Sequence, residues 1–456
     1  MYNESSSFRK KLLMLVLPIA FQQFMLAVVS ASDALMLGML DQNAMSAVSL
    51  AGQITFVENL FLASTTLGLS ILAAQYYGKG DMQTVEKIFA YAMKVTALIA
   101  FVFFLAGLCI PESLMKIFTQ EEVLIEGGRS YLQTVSLSYF LTGISQVYLC
   151  GLKNTGKAGK SSLISTVSVV INILLNACLI FGLLSFPKLE IRGAALATVI
   201  ARIIELVWCI LETKKKNSIK LRMGYLLHTQ KELKKSFWKY TTPVLGNEVT
   251  WGVGFTMYSV IMGHMGTDAV AANSIANIVK NLVASFGIGL GSGGGVILGN
   301  ELGAGHMERA KLYGQKLLKM SIIGGIIAGG LMILLIPPVL KAANLSPQAS
   351  EYLKWMLVMC SYYMVGKIIN TTLVSGIFCA GGDSKFGWRC DFVTMWCIFV
   401  PLGFIVAFVL KLPVLGVYFF INIDEFAKLP AEFHNYRKYK WLKNLTIAGR
   451  EKPISD

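Results

Sequence analysis

Leu12-Leu-Met-Leu-Val-Leu-Pro18-Ile-Ala-Phe-Gln22-Gln-Phe-Met-Leu-Ala-Val-Val-Ser-Ala-Ser-Asp33-Ala-Leu-Met-Leu-Gly38, directly after Arg9-Lys10-Lys11, is an apolar run of about 27 residues interrupted by one charge. A helix of that length crosses a bilayer core about 30 Å thick, whereas the apolar part of a cleaved signal peptide is only about 7 to 15 residues long. The run therefore reads as a membrane span. The rest of the chain agrees: of 456 residues 55% are hydrophobic and only 15% charged, with a mean hydropathy of +0.60. A soluble chain would carry about a quarter of its residues as charges. The eight Cys are scattered without C-x-x-C spacing and behave as small apolar residues, so neither a disulfide framework nor zinc is expected.

Apolar runs of spanning length recur at 12–39, 45–77, 88–110, 120–152, 161–185, 192–212, 240–265, 270–302, 312–336, 348–380, 386–410 and 413–432. Continuous apolar character, rather than alternation over about ten residues, excludes a membrane β-barrel. The expected class is an all-α polytopic membrane protein of twelve transmembrane helices. Lys and Arg fall unevenly: 32 lie on the side of the N-terminus, the even-to-odd connections and the C-terminus, against 7 on the other. Positive charges stay on the cytoplasmic side, so both termini are expected there. The net charge of +15 follows from this topology and from attraction to anionic headgroups, and it carries little weight for nucleic acid. The domains expected are a six-helix lobe at 1–212, a basic cytoplasmic linker at 213–239, a second lobe at 240–432 and a basic tail at 433–456.

The two halves align without gaps at an offset of 225. Pro18 falls on Pro243, Gly38 on Gly263, Ala47 on Ala272 and Ala51 on Ala276. Further along, Gln75-Tyr-Tyr-Gly78-Lys-Gly80-Asp-Met82 falls on Asn300-Glu-Leu-Gly303-Ala-Gly305-His-Met307, and Gly151 to Gly156 on Gly376 to Gly381. Six spans per half give both copies the same direction, hence two pseudo-symmetric lobes about an axis along the membrane normal, with a cavity expected between them. Several transporter folds share this plan.

Local motifs narrow the choice. Asp33-Ala-Leu-Met-Leu-Gly38 with Ala44 and Ala47, Pro243 with Glu248 and Trp251, Gly78-Lys-Gly80 and Gly303-Ala-Gly305, Asn172 with Asn176, Gly193-Ala-Ala-Leu-Ala-Thr198 with Arg202, Ala380-Gly-Gly-Asp383 and Asp424-Glu425-x-x-Lys428-Leu-Pro430 occur in one order along the chain. In that order and spacing the sequence resembles the multidrug and toxic compound extrusion (MATE) family, bacterial type, over essentially its whole length. It departs where Gly151-Leu-Lys153-Asn-Thr-Gly156 and Gly376-Ile-Phe-Cys379-Ala380-Gly-Gly lack the Arg many members carry. The resemblance implies that Asp33 is a carboxylate for protonation or cation binding, and that Glu248 matches one carried in the seventh helix.

A charge within hydrocarbon costs roughly 2.5 to 3.5 kcal/mol on insertion scales, so each needs a reason. Asp33 is either an ion-coupling carboxylate facing a cavity or an interfacial Asp. Asn172 and Asn176, four apart on one helix face, add oxygen donors suited to a proton relay or to Na⁺ at Asp33, Asn172 and Asn176; otherwise they bond neighbouring helices. Glu248 would attract a cationic cargo or ion when ionised, or pair statically with Lys280 or Lys367. Gln22, Glu58, Trp251, Lys280, Lys367, Asn370 and Asp391 are further candidates for the cavity, with Asp391 a possible partner of Lys367. Pro18 and Pro243 each remove a backbone hydrogen bond and kink their helices; the resemblance implies that bending of the first helix takes part in release, the alternative being a fixed structural kink.

Gly287-Ile-Gly289-Leu-Gly291-Ser-Gly293-Gly294-Gly295 is no phosphate loop, since no strand precedes it and no Lys-Ser/Thr follows. Small residues there let a neighbouring helix approach. No nucleotide site or nucleophile elbow is found, so an enzyme, and an ATP-driven pump in particular, is not expected. The function expected is secondary antiport: organic cationic or amphipathic compounds leave in exchange for H⁺ or Na⁺, with no cofactor, no nucleic acid and a working monomer in the bacterial cytoplasmic membrane. The alternatives are a lipid-linked precursor flippase, whose phosphate would call for several cavity Arg, and a non-transporting receptor or scaffold.

Overall fold

The computed structural model describes residues 2–446 except 41, 217 and 344, and these are helical with short connections. Besides three short helices at Pro111–Lys116, Met223–Leu227 and Ile336–Ala342, the helices in chain order are α1 (Tyr2–Gly38), α2 (Gln42–Gly78), α3 (Met82–Cys109), α4 (Glu122–Asn154), α5 (Ala158–Phe181), α6 (Glu190–Lys214), α7 (Lys231–Gly263), α8 (Thr267–Gly303), α9 (Met307–Leu334), α10 (Pro347–Phe378), α11 (Ser384–Val409), α12 (Val414–Ile421) and α13 (Asp424–Arg437). α10 ends in a π-helical stretch, Thr372–Phe378, and α11 contains two, Phe392–Phe399 and Ile405–Val409.

Ten of these helices are long and apolar enough to cross a membrane. They match ten of the expected segments, and large apolar side chains such as Leu98 (66% exposed) and Ile327 (66% exposed) point outward from them, as lipid-facing residues do. The other two segments differ from expectation. α7 is long enough, but Thr241, Thr242, Asn247, Glu248 and Thr250 dilute its apolar character. The stretch 413–432, expected as one span, is two helices. Asn422 ends α12 by turning its side-chain amide back onto the Tyr418 carbonyl (2.8 Å), and the Asp424 carboxylate accepts the Glu425 N–H (2.9 Å) at the start of α13.

The chain forms two compact units, and α1 and α2 contribute to both. One comprises 25–69 and 83–237; its core includes Leu132, Val135, Tyr139 and Ala195. Within it two residues after α6 are anchored: the Arg222 guanidinium meets Glu86 at 2.7 Å and Ile219 is fully buried. The other unit comprises 1–24, 70–82 and 238–456, with one core around Leu353, Cys360 and Val417 and another around Leu12, Leu317 and Trp441.

The second unit contains a reciprocal crossing of α2 and α8. A Cβ at Gly78 would land on the Asn300 backbone, and a Cβ at Gly303 would land on that of Gln75. Residues 75 and 300, like 78 and 303, differ by 225, so the repeat read from the sequence is also a repeat of contacts. Both helices then stop at glycines in left-handed conformation, Gly80 (φ +83°) and Gly305 (φ +79°), where a side chain would be strained.

The segment expected as a basic tail from 433 is packed as far as 446. Trp441 is fully buried, stacks on Tyr436 (centroids 5.6 Å apart) and donates its indole N–H to the Tyr436 carbonyl. Its apolar indole outweighs the surrounding lysines in fixing this stretch. Residues 447–456 lie outside the described part.

Candidate functional site

In the unit built from 25–69 and 83–237, the structure brings together Asp33, Asn172 and Asn176. The Asn176 amide donates to Asp33 Oδ1 at 2.5 Å and to Asn172 Oδ1 at 3.3 Å; the Asn172 amide donates in turn to Thr198 Oγ1 at 3.3 Å. The chain of bonds ends on the Ala194 carbonyl, which accepts the Thr198 hydroxyl. α1 supplies the acid, α5 the two amides on one face, and α6 the hydroxyl. Asn176 Oδ1 is buried and accepts no hydrogen bond among the described residues, so an oxygen is left beside the carboxylate for a proton carrier or a hard cation.

Glu58 is buried in the same unit and its Oε1 has no hydrogen-bond partner among the described residues. Arg202 lies within electrostatic reach of both Asp33 and Glu58. Its guanidinium is already committed, bonding both oxygens of Glu205 (3.1 and 3.0 Å), which also accepts the Ser145 hydroxyl at 2.7 Å. Arg202, half-buried, is therefore paired with a fully buried carboxylate.

The other unit holds the remaining candidates. Gln22 is buried, with Oε1 unpartnered among the described residues. Lys367 pairs with Glu425 at 3.2 Å, and Asn370 donates to the same carboxylate at 2.6 Å. Lys428 joins Asp391 (2.8 Å) to Glu425 (3.7 Å). Two expected pairings are therefore corrected. Asp391 is bound by Lys428, not Lys367, because α13 brings Lys428 against α11. Glu248 is not locked by Lys280 or Lys367: Lys367 is held by Glu425, and Lys280 donates to Asn422 Oδ1 at 3.3 Å. Pro18 and Pro243 both lie inside continuous helices, α1 and α7.

Beside this network is a cleft whose walls include Trp251, Tyr258, Lys280, Tyr363 and Asp424. Sequence reading singled out Trp251 and Lys280 but missed Asn273 and Asn277, which also line it. The available signal was spacing, since 273, 277 and 280 share one face of α8 as 251, 255 and 258 share one face of α7.

The architecture is that of an all-α polytopic membrane protein with a duplicated plan. The MatE family model matches residues 18–178 and 243–405, one match in each half. The chain belongs to the MATE family of multidrug efflux transporters. It is 22% identical to a probable multidrug resistance protein NorM of Thermotoga maritima, covering 97% of this chain and 95% of that one. It is 21% identical to the uncharacterized transporter YisQ of Bacillus subtilis, covering 90% of each. Among solved structures it is similar in fold to a MOP superfamily transporter from Pyrococcus furiosus (TM-score 0.87, 15% identity, 95% of this chain and 96% of that one). It is also similar to the Vibrio cholerae MATE transporter VcmN in the bent form (TM-score 0.83, 16% identity, 97% and 99%).

Proposed function

We propose that the protein is a secondary antiporter of the bacterial cytoplasmic membrane, with both termini cytoplasmic, working as a monomer and without a catalytic step. It exports organic cationic and amphipathic compounds by alternating access as H⁺ or Na⁺ enters. The observation that carries the reading is the bonded series Asp33, Asn176, Asn172 and Thr198, in which the Asn176 amide N–H groups hold the Asp33 carboxylate while the Asn176 amide oxygen is buried without a partner among the described residues. An acid so placed takes up a proton or a small hard cation and exchanges a charged state for a neutral one. The membrane potential supplies about 2.3 kcal/mol per charge per 100 mV, enough to drive export when ion entry and cargo exit are linked.

In this reading Asp33, with Asn172 and Asn176, binds the coupling ion, and Glu248 meets the cationic cargo. Linkage requires that ion and cargo weaken each other's binding by the same factor. The test is dye efflux from vesicles containing the purified protein, with ΔpH or ΔNa⁺ imposed separately. Efflux that follows one gradient supports the antiporter and names its ion. Dye movement indifferent to both would sink it.

A further inference from the structure

Glu432 is fully buried on α13, and neither of its carboxyl oxygens has a hydrogen-bond partner among the described residues. It follows Glu425 by seven residues and Lys428 by four, so the three share one face of the helix. α10 and α11 pack against α13. The charged or titratable groups within electrostatic reach of Glu432 are Lys367 on α10, Cys390 and Asp391 on α11, and Glu425 and Lys428 on its own helix. Each of the four charges is already paired: Lys367 holds Glu425 at 3.2 Å, and Lys428 holds Asp391 at 2.8 Å and Glu425 at 3.7 Å. Two ammonium groups thus balance two carboxylates, and an ionised Glu432 would be a fifth charge without a counter-charge.

Burying an ion without a partner costs far more than burying the neutral group, so an acid in this position keeps its proton. A bare polar group still carries a cost, which an apolar side chain of the same size would avoid. What the acid has that an apolar side chain lacks is a second state. When its O–H bond breaks and the proton passes to water, a carboxylate appears four residues from Lys428 on the same face, where it competes with Asp391 for the ammonium. Lys428 on Asp391 ties α13 to α11; Lys428 on Glu432 pairs within α13 alone. Three residues beyond Glu432, Asn435 donates to Asp383 at 2.8 Å in the connection between α10 and α11, so the acid lies between the charged network and that end of the helix.

We propose that Glu432 is a proton-binding site of the unit formed by 1–24, 70–82 and 238–456, additional to Asp33 in the other unit, and that loss of its proton transfers Lys428 from Asp391 to Glu432. The inference rests on the antiporter reading only for the use made of that proton; the site itself stands on contacts within one unit.

The test is infrared spectroscopy of the full chain purified in detergent at neutral pH, read in the carbonyl band of protonated carboxyl groups, which shifts on exchange into heavy water. Wild type should show such a band that is lost in Glu432→Gln. Asp391→Asn should lose the same band with Glu432 still in place, because the freed Lys428 ammonium draws the proton off it. Glu432→Met stands in if Glu432→Gln aggregates; aggregation of both overturns the proposal, since each replaces a neutral acid by a neutral side chain of similar length. No band difference between wild type and a folded Glu432 variant overturns the proton site. A band that persists in Asp391→Asn, or an Asp391→Asn protein that no longer folds, overturns the transfer of Lys428. A missing band with gradient-linked dye efflux intact removes this site and leaves the exporter; the band behaving as stated beside efflux indifferent to both gradients keeps the site and removes the exporter.

Discussion

The side chain of Gln75 clasps the backbone of Leu445: its Oε1 accepts the Leu445 N–H at 2.6 Å, while its Nε2 donates to the carbonyls of Ala380 (2.6 Å) and Lys443 (3.1 Å). One amide on α2 thus satisfies three backbone groups, two of them on the closing segment of the chain. Gln75→Leu keeps the volume and strands a buried N–H and two carbonyls, so it should destabilise by roughly 1–3 kcal/mol. A thermal melt in detergent equal to that of wild type would show that the clasp contributes nothing.

Asp33→Asn should leave the protein folded, because an Asn carbonyl can still accept from Asn176, yet coupled efflux should fall about tenfold or more. Efflux into an opposing gradient, at matched expression, is the measurement. Wild-type rates would remove Asp33 from the coupling step.

Glu248→Gln removes a charge from α7 while nearly preserving shape, and no described cation is locked to this acid. Export of cationic dyes should drop more than export of neutral ones. Equal losses for the two classes would assign Glu248 a structural role.

Arg202→Met leaves the fully buried Glu205 carboxylate with only the Ser145 hydroxyl, at a cost of roughly 3–5 kcal/mol. The double variant Arg202→Met/Glu205→Leu should recover most of that loss, since two apolar side chains replace a pair instead of orphaning one half. A double variant as unstable as the single one would contradict this account.

Asp383 lies in the connection between α10 and α11, where burial raises its carboxyl above the ordinary 3.8 despite the Asn435 hydrogen bond and nearby Lys440 and Lys443. Its raised value means that the folded protein holds the proton more tightly than the unfolded chain. The resulting stabilisation is present at low pH and fades as pH rises past 3.8 and through the raised value. Melting temperatures of wild type and Asp383→Asn, compared across that range, should show the wild-type advantage shrinking as pH rises. An advantage that grows with pH would reverse the sign.

Helix positions were legible because lipid selects long apolar runs, and the ends of α2 and α8 were marked by glycines the backbone requires. The break at Asn422 escaped notice because Val414 to Ile421 is strongly apolar, and hydropathy averaged over a span's length does not register one side chain turning back on its own helix. The grouping of Asn172 with Asn176 was readable from a spacing of four. The partners of Lys367, Asp391 and Lys428 were not, because their pairing depends on where α13 returns against α10 and α11. Charge counting along the chain likewise cannot tell Arg202, half-buried against Glu205, from a solvated linker residue.

The crossing of α2 and α8 joins a surface to its own copy, since Gly78 meets Asn300 and Gly303 meets Gln75 by the same rule applied twice. A contact of that kind is the one two identical six-helix chains make on forming a two-fold dimer. Fusing such a pair end to end requires no new interface, only the short stretch from the end of α6 to the start of α7. Once fused, each half is free to change alone. At the offset of 225, Asp33 falls on Tyr258 and Glu248 on Gln23, so the two halves keep one backbone plan while carrying their acids at different positions.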